Sequence, residues 1–440
     1  MPRDLTDLME RATSVAPPEP HAAADVTRVA ARHLRRRTTN LVAGVTAAVL
    51  VAGSLGYAVS RGHDSTPEPA KHLDYGQQLR LADAVPATAV PGFRELHYSI
   101  KPVDQKPISQ RRERLGLPPR EFVEYRDIDS AGRLVVVRGT GGFDAPDVPI
   151  VLAGPDSTSS MLAASPPAVK NGSNANGWVP SFVGDGRLLW TPYLPVVGDG
   201  QPQVHVTDLV GHHDQPLVMD RSKPAPGNGG LDVWVSGDRL WFVNQDLPGK
   251  DLTAAPTSTL YSTPIDDPTQ LTTVAAHVVD AAASDGAVGW VTRDGLGHLG
   301  TTTGRISTFR LPLDRGCTVY PWSAQLGQFA VTDGLLAFAE ECGSGKAKRS
   351  EPVVVDPSGR LVLHVNAPGA GNFALNGAAF AFFGIGGPSD ARTGVYHVDL
   401  RTGVMSILGA EHSSSGAPVV AGRYVLWHDS ASYHVGEFTG

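Results

Sequence analysis

A tight glycine turn that returns at regular intervals constrains the fold of this 440-residue chain more than any other feature. At seven places an apolar run reaches the turn and a second apolar run follows it. The intervals between these turns are 54, 51, 49, 48, 43 and 45 residues, and the turn glycines are Gly132, Gly186, Gly237, Gly286, Gly334, Gly377 and Gly422. A period of about 40–50 residues indicates a repeat architecture rather than one continuous core.

Each repeat also contains a second hairpin. The clearest are Glu351–Val365 and Gly394–Leu408, whose turns are Asp-Pro-Ser-Gly and Arg-Thr-Gly. Glycine suits these turns because it tolerates positive φ. One unit therefore contains four strands. Tight turns join the first strand to the second and the third to the fourth, and a loop joins the second to the third. This arrangement is typical of a propeller blade. The sequence predicts an all-β fold, a β-propeller of seven blades, with six or eight blades as the alternatives.

The last repeat predicts how the ring closes. After its first hairpin it has one further strand candidate, Ser432–Phe438, and no fourth strand. Glu95–Val103, ahead of the first full repeat, is a strand candidate without a partner. We expect it to complete the last blade, because this removes the open sheet edge.

The N-terminal region predicts a membrane anchor. Leu41–Val59 is uncharged and mostly apolar, and at ~1.5 Å per residue it is long enough to cross the hydrocarbon core. Its N-terminal flank holds Arg28, Arg32, Arg35, Arg36 and Arg37, whereas only Arg61 follows nearby. The positive-inside rule then places the N-terminus in the cytoplasm. A cleaved signal peptide is the alternative, although both parts are long for one.

These segments give the predicted organisation. Residues 1–40 form a cytoplasmic tail, 41–59 a single transmembrane helix, 60–92 an extracytoplasmic linker, and 93–440 the propeller ectodomain. Residues 61–440 contain 30 basic and 39 acidic residues. This acidic balance argues against nucleic acid as a partner.

In its layout the chain resembles WD-type and TolB-like propellers, where an Asp-Gly turn follows the innermost strand. Over residues 28–440 it resembles actinobacterial proteins with a short cytoplasmic tail, one signal-anchor helix and an extracytoplasmic propeller. The WD dipeptide and its His partner are absent. The resemblance implies a fold and a location at the cell membrane, and it implies no particular chemistry.

The two cysteines, Cys317 and Cys342, are predicted to form a disulfide. In the blade layout one lies before the fifth blade's first strand and the other after its second strand, so an antiparallel pair brings them together. An oxidising exterior favours the bond.

The loops between second and third strands, and between blades, are long, and a rigid scaffold usually carries its function on such loops. On this side we select Asp246, Glu340 and Glu341 as candidate ligand-contacting acids. No catalytic, cofactor or metal site is predicted, because His212, His213 and Asp214 fall in a turn and no other constellation converges.

The sequence therefore predicts a binding module for a protein or cell-envelope ligand of unknown identity. One alternative is an envelope hydrolase or lyase with its site at the propeller mouth. Another is a transmembrane sensor that signals through the cytoplasmic tail.

Overall fold

The structure of the chain is a computed structural model. The chain divides into two units, Met1–Ala48 and Val49–Gly440, and every described residue lies in the second. The structure describes residues 73–98, 121–140, 150–154, 159–162, 178–183, 187–192, 204–208, 214–217, 233–246, 257–267, 269–284, 286–292, 294–302, 304–319, 328–343, 349–385, 393–410, 417–428 and 432–439. Within these ranges no helix is long and apolar enough to cross a membrane. The predicted transmembrane helix, Leu41–Val59, lies outside them.

The first described segment, residues 73–98, is called the strap. It contains β1 (Gln77–Arg80), a 3-10 helix (Leu81–Asp83), β2 (Val85–Pro86), a second 3-10 helix (Ala87–Ala89) and β3 (Phe93–Leu96).

The strands that follow the strap form six sheets, numbered here in chain order. Sheet 1 contains β4 (Glu121–Ile128), β5 (Leu134–Thr140), β6 (Ile150–Ala153) and β7 (Ser159–Leu162). Sheet 2 contains β8 (Trp178–Val183), β9 (Arg187–Pro192), β10 (Val204–Asp208) and β11 (Asp214–Leu217). Sheet 3 contains β12 (Val233–Ser236), β13 (Arg239–Asp246), β14 (Thr257–Pro264), β15 (Thr272–Ser284), β16 (Ala287–Thr292), β17 (Leu296–Thr301) and β18 (Ile306–Arg310).

Sheets 4 to 6 complete the series. Sheet 4 contains β19 (Thr318–Val319), β20 (Phe329–Thr332), β21 (Leu335–Cys342), β22 (Arg349–Val355) and β23 (Leu361–Asn366). Sheet 5 contains β24 (Gly371–Asn376), β25 (Ala379–Gly384), β26 (Gly394–Asp399) and β27 (Val404–Ala410). Sheet 6 contains β28 (Val419–Ala421), β29 (Tyr424–His428) and β30 (Tyr433–Phe438). Apart from the two 3-10 helices, the described elements are strands, so the all-β prediction is confirmed.

Sheet 3 has seven strands because one long strand belongs to two four-stranded runs. The first half of β15, Thr272–Val278, pairs with β14, and the second half, Val278–Ser284, pairs with β16. His277 sits at the junction with φ 57°, and the ladder with β16 shifts register between Val278 and Asp280. This local bend lets one strand end one repeat and begin the next.

Consecutive sheets pack face to face, and the last packs against the first. Apolar clusters join sheet 2 to 3, 3 to 4, 4 to 5 and 5 to 6, and a further cluster returns from Val419 and Tyr424 of sheet 6 to Ile128 and Leu134 of sheet 1. Sheets 1 and 2 meet where the Phe182 N–H donates to Asp127 Oδ2 at 2.8 Å. Four-stranded antiparallel units that return on themselves in this way form a β-propeller.

The turn glycines lie where neighbouring sheets are hydrogen-bonded. The Gly377 N–H donates to Thr332 Oγ1 (3.3 Å), and the Gly422 N–H donates to Asn376 Oδ1 (2.8 Å). The acceptors Thr332 and Asn376 end β20 and β24, and each donor glycine lies in the corresponding tight turn of the next sheet. Both glycines have positive φ, 53° and 58°. The repeated turn therefore satisfies a backbone requirement and supplies a contact between sheets.

Aromatic and histidine rings pair across strands in four of the hairpins. In each pair a ring on a second strand stacks on the ring directly opposite on the third strand, and the pairs are Phe242–Tyr261, Trp290–His298, Phe382–Tyr396 and Trp427–His434. Such directly opposed rings stabilise antiparallel pairs.

Strand β3 pairs antiparallel with β30, in register from Phe93 opposite Phe438 to Leu96 opposite Val435. Glu437 of β30 is buried and forms ion pairs with Arg94 and with Arg423 (2.9 Å to the latter). The closing strand thus begins two residues before the predicted strand Glu95–Val103, of which residues 99–103 lie outside the described ranges.

The strap also corrects the predicted linker, residues 60–92. β1 pairs in parallel with β23 of sheet 4, and β2 pairs in parallel with β27 of sheet 5. Leu81, between these two strands, and Ala87, directly after β2, are buried. From Leu73 onward the segment is therefore part of the propeller rather than a linker, and residues 60–72 lie outside the described ranges.

We predict that three N-terminal truncations unfold in a graded order. A chain beginning at residue 91 loses β1 and β2 but keeps the closing strand, whereas a chain beginning at 99 also loses β3. Relative to a chain beginning at 73, the thermal midpoint should fall moderately for the first and by more than about 10 °C for the second, since a domain of this size loses about 2–4 °C per kcal/mol. Circular dichroism melting measures the order. Equal midpoints for the chains beginning at 91 and 99 would contradict the role given to β3.

Candidate functional site

The three acids selected from the sequence lie on one side of the ring but do not come together. Asp246 is the last residue of β13 in sheet 3, opposite Thr257. Glu340 and Glu341 are adjacent on β21 in sheet 4, so their side chains point to opposite faces. Alternation from Phe338, which packs with sheet 3, and Ala339, which packs with sheet 5, puts Glu340 on the sheet 3 face and Glu341 on the sheet 5 face.

Glu340 is buried, with 2% of its surface exposed. Its Oε1 accepts the backbone N–H of Asp314, which belongs to the connection between β18 and β19. It therefore ties sheet 4 to the segment that arrives from sheet 3.

Two residues that the sequence did not single out complete this cluster. Glu351 of β22 lies directly opposite Glu340 and is equally buried. His364 of β23 has its Nε2 at 3.0 Å from Glu351 Oε2 and 4.0 Å from Glu340 Oε2. Arg349 Nε reaches Glu351 Oε1 at 3.3 Å. His364 thus contacts two buried carboxylates, and the three side chains come from three neighbouring strands.

This geometry moves two pKa values in the same direction. Burial raises the pKa of the Glu340 carboxyl, against the opposing hydrogen bond from the Asp314 N–H. The hydrogen bond to Glu351 raises the pKa of His364, with further contributions from the charges of Glu351, Glu340 and Asp314 and an opposing contribution from burial. Both groups hold a proton more tightly in the folded chain than an exposed carboxyl or imidazole does.

The predicted disulfide is confirmed. Cys317 and Cys342 are bonded, with their Cα atoms 4.4 Å apart. Cys317 directly precedes β19, whose two residues pair with Glu341 and Glu340 of β21, the strand that Cys342 ends. The bond therefore fastens β19 to β21 at the end of sheet 4 that leads into the loop before β22.

Among the described residues, Cys317, Cys342 and Glu340 form a group whose ligand-type atoms lie within 4.8 Å of one another. Both sulfur atoms belong to the disulfide, so neither is the thiolate that binds metals such as zinc. As it stands the group is a carboxylate beside a disulfide, not a metal centre.

The sequence contained a signal for the missed residues. Glu351 and His364 both lie in the hairpin Glu351–Val365, around the turn at Asp356–Gly359. Each stands beside a run of apolar residues, Val353–Val355 for Glu351 and Leu361–Leu363 for His364, and the ladder pairs Val353 with His364. Reading these strands in register would have placed Glu351 and His364 near each other on one face.

A second buried titratable group lies away from this cluster. His397 of β26 is stacked on Phe438 with ring centroids 4.0 Å apart, and burial lowers its pKa to about 4. It is therefore neutral near neutral pH and contributes to the packing between sheets 5 and 6.

No protein-family model matches this sequence, and no curated protein matches it by sequence. Several solved structures are similar in fold. An oligogalacturonate lyase in complex with manganese is 12% identical, with a TM-score of 0.45, over 73% of this chain and 92% of that one. BamB from Moraxella catarrhalis is 14% identical, with a TM-score of 0.36, over 71% and 82%. An acylaminoacyl peptidase from Pyrococcus horikoshii is 10% identical, with a TM-score of 0.43, over 70% and 49%. The fold assignment rests on the strand pairing described above.

The pKa shifts predict how stability depends on pH. A histidine whose folded pKa is raised stabilises the fold fully below its unfolded pKa of about 6.5, and this contribution is lost as pH rises through the folded pKa. The free energy of unfolding of the wild type should therefore contain a component that falls between pH 6 and 9. His364→Gln should remove it, so that the variant's thermal midpoint falls less over this range.

His298→Gln is the matched control. His298 stacks on Trp290, and burial lowers its pKa, so its contribution to stability rises with pH. This rise is complete at the unfolded pKa of about 6.5, so between about pH 7 and 9 the control should leave the slope of the thermal midpoint unchanged, unlike His364→Gln. Slopes that shift the same way in both variants would contradict the assignment.

Proposed function

We propose that the chain is a membrane-anchored, extracytoplasmic propeller of seven blades that binds a protein or cell-envelope ligand. The ligand binds on the side of the ring where the loops between second and third strands, and between blades, lie; this side is called the loop side. The blade number is inferred by counting the two four-stranded runs of sheet 3 separately. With β3 as the fourth strand of sheet 6, each of the seven sequence repeats then corresponds to one blade.

The proposed location has two supports. The first is the uncharged Leu41–Val59 with its arginine-rich N-terminal flank. The second is the disulfide, because such bonds persist in oxidising compartments and are rare in the cytosol.

The burial of the sheet 4 acids is the observation that carries the choice of a binding role over an enzymatic one. Glu340 and Glu351 are each 2% exposed, and their oxygens contact the Asp314 N–H, His364 and Arg349. A general acid or nucleophile must reach its substrate. These carboxylates instead hold strands of the scaffold together, so a hydrolase or lyase would need another set of acids.

The loop side is favoured because the opposite side is occupied by contacts between sheets. The turns at Gly377 and Gly422 bind side chains of the preceding sheet, and Ser236 Oγ donates to the Ala287 carbonyl at 3.3 Å. The connections on the loop side are longer, for example residues 343–348 between β21 and β22 and 385–393 between β25 and β26. Long connections on a rigid scaffold are the usual place for a ligand contact.

We predict an N-in, C-out topology for the full chain in its native membrane. Protease added to intact spheroplasts should digest the ectodomain and spare a tag at the N-terminus, because the arginine-rich flank holds that end in the cytoplasm. Lysed spheroplasts, in which both ends are cleaved, are the control. A protected C-terminus in intact spheroplasts would contradict the topology.

We predict that partners crosslink to the loop side. A photoreactive residue placed at Asp246 or Glu341 in the full chain should give crosslinked species in whole cells. The same residue at Asp238 or Asp333, in the tight turns at the other ends of the same hairpins, is the matched control and should give few. Crosslinks formed mainly from Asp238 and Asp333 would assign the binding surface to the opposite side.

A further inference from the structure

A buried carboxylate lies directly beside the only disulfide that the two cysteines can form. Glu340 and Cys342 are two residues apart on β21, so their side chains share one face. A carboxylate oxygen of Glu340 lies within 4.8 Å of both sulfur atoms. Cys342 is 5% exposed, whereas Cys317 is half-buried. A reductant therefore reaches the bond at Cys317, and Cys342 is the sulfur that leaves.

We propose that Glu340 protects the Cys317–Cys342 disulfide from thiol reductants by holding a negative charge beside both sulfur atoms. The proposal goes beyond ligand binding and does not depend on which ligand is bound.

The charge acts on thiol–disulfide exchange with a dithiol reductant. A reductant thiolate attacks Cys317 Sγ, a new S–S bond forms, and the Cys317–Cys342 bond breaks with its electron pair leaving on Cys342 as a thiolate. The second thiol of the reductant then displaces Cys317, so the protein disulfide gains two electrons and the reductant becomes a disulfide. Both the incoming and the leaving sulfur carry negative charge in the first step, and the Glu340 carboxylate disfavours both.

Glu340 is held in this position by its neighbours. The Asp314 N–H donates to it from the β18–β19 connection, Glu351 lies opposite it on β22, and His364 approaches it from β23. These are also the titratable groups that face it, with Arg349 beyond Glu351. Because Asp314 and Cys317 lie on the same connection, and Glu340 and Cys342 lie on the same strand, the carboxylate and the disulfide are positioned together.

The bond matters to the fold because β19 has little else to hold it. Its two residues, Thr318 and Val319, pair only with Glu341 and Glu340 among the described strands. Protection of the disulfide therefore keeps β19 on β21, at the edge of sheet 4 opposite β1.

The test compares the rate of reduction of the full chain, purified in detergent, with that of Glu340→Gln between pH 4.5 and 8. The reductant is an uncharged phosphine, tris(hydroxypropyl)phosphine, which attacks sulfur, expels the thiolate and is oxidised with water to the phosphine oxide. Alkylation of the released thiols followed by mass spectrometry gives the rate. Glutamine keeps an oxygen that accepts the Asp314 N–H, so the variant retains the local hydrogen bond.

We expect the ratio of rates, Glu340→Gln over wild type, to be near one at pH 4.5 and to rise to about tenfold or more at pH 8, as the wild-type carboxylate ionises. A variant that merely loosens packing would be reduced faster by the same factor at every pH. Glu341→Gln removes the adjacent carboxylate, whose side chain lies on the opposite face of β21, and should leave the ratio of its rate to that of the wild type near one throughout.

Two results would overturn the proposal. One is a ratio for Glu340→Gln that does not change with pH, whatever its size. The other is an equal rise for Glu341→Gln, which would mean that the effect does not depend on which face of β21 carries the charge.

Discussion

The pairing of β3 with β30 is the contact on which the other sheets depend. A sheet in this fold buries both faces only because it has a neighbour on each side. Without β3 the last sheet keeps three strands, and its contact with sheet 1 through Val419, Tyr424, Ile128 and Leu134 loses its outer support. The buried Glu437, held by Arg94 from the closing strand and Arg423 from the neighbouring turn, adds a charged contact that an open ring would leave incomplete.

The repeat could be read from the sequence because its signals are local. A glycine with positive φ at Gly377 or Gly422 is needed for a two-residue turn, and such a turn fixes the register of the strands around it. The disulfide followed from the same register. Cys317 and Cys342 are 25 positions apart, yet an antiparallel return brings their Cα atoms to 4.4 Å.

The strap could not be read in this way. β1 and β2 are four and two residues long, and they pair in parallel with strands more than 280 positions away. Their contacts are made by the backbone, so alternation in the side chains gave no signal, and a Pro- and Ala-rich segment resembled a linker. The sequence likewise contained no sign that β15 joins two repeats. The junction depends on one positive-φ residue, His277, which does not lie in a recognisable turn motif.

The candidate acids show where the sequence pattern misled. Two adjacent glutamates at the end of an apolar strand suggested ligand contact. Alternation along β21, however, places Glu340 and Glu341 on opposite faces. The cross-strand register then puts Glu340 beside Glu351 and His364 instead. Two carboxylates directly opposite in an antiparallel pair repel each other, and burial increases the cost. This unfavourable pair lies beside the Cys317–Cys342 disulfide. Closing a loop of 25 residues by such a bond stabilises a chain by about 3 kcal/mol in the chain-entropy estimate. The disulfide therefore offsets the free-energy cost of the buried Glu340 carboxylate. The charge of this carboxylate in turn makes the disulfide harder to reduce.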